Sequence, residues 1–210
     1  MFFNRLFFIL ICFSFGLTTQ GQQIIHLKNP SFEMNREAIS GEAPVHWVDM
    51  GEEFESPPDI QPGSFSVRKP ALHGNYYVGM VVRDNNTFES IGQTLSGKLL
   101  KDSLYSFSAA LARSDLYISL SRLTGQQTSF SDACVLQVIG INTQNRQSEL
   151  LAETTPVQHT DWKNYRFELQ PQMGDYDYLQ LKVFFVVGTN TAYNGNILID
   201  NLSPIIQETP

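Results

Sequence analysis

Leu104-Tyr105-Ser106-Phe107-Ser108-Ala109-Ala110-Leu111 alternates larger apolar residues with small ones at a period of two, the spacing of a strand with one buried face. Tyr105, Phe107, Ala109 and Leu111 share that face. Asn164-Tyr165-Arg166-Phe167-Glu168-Leu169 repeats the pattern, with Tyr165, Phe167 and Leu169 inward and Arg166 and Glu168 outward. Such runs are half-buried antiparallel strands. Further strands are expected at Ile24 to Leu27, Tyr76 to Val82, Ser90 to Leu95, Ala133 to Ile141, Leu179 to Val187 and Asn196 to Leu202. Turn formers punctuate them at Pro57-Pro58, Pro62-Gly63, His73-Gly74-Asn75, Ser96-Gly97, Met173-Gly174-Asp175 and Asn194-Gly195. Helical periodicity is almost absent. The pattern predicts an all-β chain, a jelly-roll β-sandwich of two antiparallel sheets.

The first residues, Met1-Phe2-Phe3-Asn4-Arg5, precede an apolar run from Leu6 to Leu17 and the small-residue pattern Thr19-Gln20-Gly21. This is the grammar of a secretory signal over residues 1–21, leaving one domain over 22–210. Residue Ile11, which is not small, precedes Cys12, and the apolar run continues beyond it, so the leader does not read as a lipid-attachment signal. The run is too short to span a bilayer, and the next most apolar stretch, Tyr178 to Gly188, contains Gln180 and Lys182. The expected destination is outside the cytoplasm: periplasm, cell surface or medium. Without the leader Cys134 is the only cysteine, so no intrachain disulfide forms, and Ala133-Cys134-Val135-Leu136 reads as a strand interior.

The chain carries 14 Lys and Arg against 21 Asp and Glu, a net charge of −7. With neither a basic stripe nor a nucleic-acid module, it is not expected to bind nucleic acid. Catalysis is not expected either. The four histidines, His26, His46, His73 and His159, lack metal-ligand spacing, no Gly-x-Ser-x-Gly elbow is present, and Cys134 has no activating neighbour. Two long polar stretches, Met34 to Ala71 and Ser114 to Asp132, are loops of the kind that carry function on a rigid β scaffold.

Seven segments, in order, resemble the galactose-binding-like jelly-roll domains that include the carbohydrate-binding modules of secreted glycosidases. They are Asn29-Pro30-Ser31-Phe32-Glu33, Pro44-Val45-His46-Trp47, His73-Gly74-Asn75-Tyr76-Tyr77-Val78-Gly79, Ile91-Gly92-Gln93-Thr94-Leu95, Leu104 to Ser108, Trp162 to Phe167 and Ile199-Asp200-Asn201-Leu202. A narrower likeness, carried by His159 to Tyr165, Tyr176 to Leu179 and Tyr193 to Pro204, is to exported and surface domains of gliding bacteria in the Bacteroidetes.

The resemblance implies a structural calcium tying the first strand to the last, with Glu33 and Asp200 among its ligands and carbonyls of the His73-Gly74-Asn75 turn in support. The alternative for the same two carboxylates is hydrogen bonding that closes strand ends. It also implies recognition of an extracellular glycan, for which aromatic faces stack on sugar C–H groups while amides and charges meet hydroxyls. Tyr117 and Tyr193, beside polar loops, are the favoured aromatics, with Tyr76, Arg83 and Asn85 in support, and Trp47 and Trp162 are read as core anchors. The competing class is a structural or adhesive component of the cell envelope that binds another protein.

Overall fold

The computed structural model describes residues 22–35, 41–189 and 191–209; the leader expected over residues 1–21 lies outside them. Among the described residues there is no α-helix. Fourteen strands, numbered in chain order, form two large sheets and a hairpin, with one 3-10 turn at Ser64–Ser66. The seven-stranded sheet contains β1 (Ile24–Ile25), β3 (Asp59–Gln61), β4 (Tyr77–Val82), β6 (Tyr105–Ala112), β11 (Lys163–Leu169), β13 (Gly195–Asp200) and β14 (Ile205–Gln207). The five-stranded sheet runs β10 (Ser148–Glu153), β9 (Val135–Ile141), β12 (Tyr176–Phe184), β5 (Ser90–Leu99), β2 (Val48–Asp49). Strands β7 (Ile118–Leu120) and β8 (Gln127–Ser129) pair with each other alone.

The alternation that predicts β6 holds. Tyr105, Phe107, Ala109 and Leu111 are all buried, facing Ile91, Leu136, Val138, Leu179, Leu181 and Val183 of the five-stranded sheet in one apolar core. β11 pairs with β6 so that Phe167 lies opposite Phe107, and the two rings stack at 4.8 Å. Burying each such side chain stabilises the fold by about 1.5–3 kcal/mol. Tyr165 departs from its expected inward place: it is half-buried at the margin, stacked on His159. The fold is the expected all-β jelly-roll sandwich.

The two long loops do more than decorate the surface. Tyr77 and Val81 of β4, Ala112 of β6 and Leu198 of β13 point away from the main core, and Val67, Tyr117 and Phe130 from the loops cover them in a second buried cluster. The outer face of the seven-stranded sheet is therefore roofed across β4, β6 and β13. Over the five-stranded sheet the outward residues Gln137, Ile139, Ile141, Tyr178, Gln180, Lys182 and Phe184 are only half-buried.

Candidate functional site

Three regions are candidates for function, and the site residues singled out by sequence lie outside the third. The first is the closure of the two chain ends. β1 pairs with β14, and the Leu202 N–H donates to the Pro30 carbonyl. Asn29, in the left-handed region at φ 46°, accepts the Glu33 N–H on its side-chain oxygen and donates its amide to the Glu33 and Val45 carbonyls. That turn seats Phe32 against Trp47 at 5.4 Å and aims Glu33 at the His73-Gly74-Asn75 turn. Glu33 accepts the N–H groups of Asn75 and Tyr76, while Asp200, fully buried, accepts those of Leu72, His73 and Asn201.

Sequence thus pairs Glu33 with Asp200, and the structure brings both to the same turn. Burial pushes the Asp200 carboxyl above its ordinary value, and the three N–H donors pull against that. Calcium needs six to eight oxygens, yet the near partners of both carboxylates are N–H donors, which a cation would face unfavourably. At Gly74 an added Cβ would come within 2.2 Å of Glu33 Oε1, so the carboxylate is packed on the turn backbone. Among the described residues no three His, Cys, Asp or Glu side chains gather as a metal cluster. The residues present do not fit a calcium cage.

The second region lies under the loop roof and takes in three of the five residues expected to touch a ligand. Tyr117 is 1% exposed and its hydroxyl donates to Asp59; the expectation of an exposed stacking ring fails because the loop folds back on the sheet. Arg83, 2% exposed, is paired with Glu89 beneath it and lies 3.5 Å from Glu55. The side-chain amide of Asn85 donates to Glu55, which also pairs with Arg122 at 2.9 Å. Asp84 accepts from the Ser121 hydroxyl and the Asn194 amide, fastening the Ser114 to Asp132 loop to the sheet end. Burial lifts Asp59 from 3.8 to about 6, against the pull of the Tyr117 hydroxyl and Arg83. Burial also drives Glu89 well above its ordinary value, with Arg83 opposing. Tyr117, Asp59, Arg83 and Glu89 are buried structural cement, and half-buried Asn85 is engaged by Glu55.

Tyr76 is half-buried, with its backbone tied to Glu33. Tyr193 is half-buried too. Its hydroxyl donates to the Ala133 carbonyl and accepts the Val186 N–H, and its ring meets Phe185 edge-on at 5.2 Å. It borders a cleft of about 330 Å³ with Asp132 and Val186, but its polar end is committed.

The third region, the bare outer face of the five-stranded sheet, was not singled out by sequence. Cross-strand register aligns it in rows: Ser148, Ile141, Tyr178 and Thr94; then Leu150, Ile139, Gln180, Gly92 and Val48; then Gln137, Lys182 and Ser90. The Tyr178 ring lies over Gly92, where an added Cβ would meet Tyr178 Cε1 at 2.4 Å and Met50 Sδ at 2.5 Å. Glycine leaves the room that lets the ring settle on the sheet. Beside it opens a cleft of about 290 Å³ walled by Lys28, His46, Trp47, Gln93, Thr94 and Tyr178. Gln180 donates to the Ser90 hydroxyl, which donates to the Met50 carbonyl. The signal was present in the alternation of β12: once Leu179, Leu181 and Val183 are assigned inward, Tyr178, Gln180, Lys182 and Phe184 must face out.

No protein-family profile matches the chain, and no curated protein matches it. Solved structures do. A cyclase from Fischerella sp. TAU overlays with a TM-score of 0.55 at 12% identity, covering 89% of this chain and 98% of that one. The K2 cleaved adhesin domain of Lys-gingipain overlays with a TM-score of 0.50 at 11% identity over 90% of this chain and 99% of that one. The CBM22-1 xylan-binding domain from Paenibacillus barcinonensis Xyn10C overlays with a TM-score of 0.48 at 12% identity, covering 90% and 97%. The chain shares the jelly-roll β-sandwich architecture of these structures; at such identities the likeness carries the fold alone.

Proposed function

We propose that this chain is an exported, non-catalytic recognition domain that binds an extracellular glycan on the bare outer face of the five-stranded sheet. The observation that carries this reading is Tyr178, half-buried on Gly92 at the lip of the Trp47 cleft. It offers an aromatic surface for a sugar ring, with Gln180, Gln137 and Thr94 nearby to meet hydroxyls. A concave or sheet-borne site with a few polar groups among apolar ones is the usual form of a small-ligand site. The reading as non-catalytic is supported by the burial of Asp59 and Glu89, which are 5% and 1% exposed. The carboxylates with raised pKa values are thus kept from substrate.

Tyr178→Ala tests the proposal: it should weaken glycan binding at least tenfold with little loss of stability. Retained binding would move the site elsewhere. A second reading, an adhesive envelope component that binds another protein, is favoured by three apolar side chains on loops, Phe54, Leu123 and Val187, which are 97%, 71% and 84% exposed. Phe54→Ser combined with Leu123→Ser should leave glycan binding unchanged under the first reading.

A further inference from the structure

Lys182 lies on β12, the central strand of the five-stranded sheet, near that strand's C-terminal end. Its neighbours in sequence, Leu181 and Val183, are fully buried in the core, and its cross-strand partners are Ser90 and Gln137. The ammonium nitrogen sits 4.0 Å from the Phe88 ring centroid and 4.3 Å from that of Phe184. The two rings meet edge to face at 5.4 Å. Rings hold the cation by their quadrupoles and fix its position, taking its N–H groups only as weak π acceptors. Among the described residues the ammonium joins no ion pair.

Among the described residues Arg83, Arg113, Arg122 and Arg166 form ion pairs with carboxylates. Lys182 differs from them: it is half-buried and lacks such a partner. Partial burial pulls its pKa down, and the nearby Glu52 charge pulls it back up. Glu153, farther along the same row, is engaged by the Gln137 amide at 2.7 Å. A positioned, partly desolvated cation with weakly engaged donors is what recognises an oxyanion.

We propose that Lys182 recognises an anionic group and that the glycan bound on this face is an acidic polysaccharide, carrying either a uronate carboxylate or a sulfate ester. This rests on the reading of the bare face as the glycan platform. Gln180 and Gln137 flank Lys182; their amides donate to Ser90 and Glu153, and their side-chain oxygens can accept from hydroxyls of the same glycan chain. The acidic surface of the protein as a whole repels such a ligand at long range, so recognition depends on close contact with Lys182 and weakens as salt screens it.

Two matched pairs of polymers test this by calorimetry: polygalacturonate against its fully methyl-esterified form, and dextran sulfate against dextran. A neutral glycan array is screened in parallel. Wild type should bind the charged member of at least one pair tenfold or more tighter than its neutral counterpart, and the responding pair tells carboxylate from sulfate. Lys182→Gln should erase that preference while melting as wild type does, and Lys182→Arg should retain it. Equal binding of charged and neutral members, or a preference that survives Lys182→Gln, overturns the anionic assignment and leaves the platform standing. Folded protein that binds no polymer and no arrayed glycan overturns both.

Discussion

The two outer faces of this sandwich have met opposite fates. Over the seven-stranded sheet, the loops fold back and bury Tyr117, Phe130 and Val67 against Tyr77, Val81 and Leu198, with Asp59, Arg83 and Glu89 sealed beneath. Over the five-stranded sheet, among the described residues, Tyr178, Gln180 and Lys182 are only half-buried and stay within reach of solvent. Polar residues on the first face are tied to one another, so they hold the fold. On the second, Lys182 is held by rings and, among the described residues, joins no ion pair. Chemical richness alone does not mark a binding site; the availability of its groups does.

Breaking the roofed face should cost the most. Arg83→Ala leaves Glu89 buried without its cation, and loss of one partner of a buried pair costs about 3–5 kcal/mol, readable from denaturant unfolding. Next comes pH. Because the folded-state pKa of Asp59, about 6, lies above its ordinary value of 3.8, its contribution to stability is fully present below the unfolded pKa and is lost as pH rises through 6. The loss should be on the order of 2–3 kcal/mol. Burial of Glu89 acts in the same direction. Asp59→Asn should flatten this part of the stability profile; a wild-type profile already flat from pH 4 to 7 would show that Asp59 is solvated.

Asp200→Ala should destabilise by about 1–2 kcal/mol, because it removes the buried carboxylate that accepts the N–H groups of Leu72 and His73. Chelator should leave the wild-type melting temperature unchanged, since N–H donors already occupy the near sides of Glu33 and Asp200. A fall in chelator would restore the calcium reading. The smallest effect on stability belongs to the bare face: Tyr178→Ala should cost under about 1 kcal/mol, while carrying the largest effect on binding.

Period-two alternation made β6 and β11 legible, because a strand with one wet face writes its burial into its sequence. The Asn29 to Glu33 turn and the Ile199 to Leu202 segment were singled out by resemblance, and the structure brings their carboxylates, Glu33 and Asp200, to one turn. The roof was not legible. Whether Tyr117 stacks on a ligand or plugs a second core depends on a loop folding back over β4 and β13, a non-local event with no periodic trace. Arg83 and Asn85 read as available polar groups because their partners, Glu89 and Glu55, are matched to them only in three dimensions. The platform was half legible: the outward set of β12 follows from its alternation, but the seat for Tyr178 needs Gly92 on the neighbouring strand, and register between strands is not visible in one sequence.

The most direct test is a glycan-array screen of the purified protein, run in parallel with Tyr178→Ala from the bare face and Tyr193→Ala from the cleft that it borders with Asp132 and Val186. The account predicts a saturable hit that Tyr178→Ala abolishes and Tyr193→Ala retains. A hit indifferent to Tyr178, or a blank array from protein shown to be folded, would contradict it.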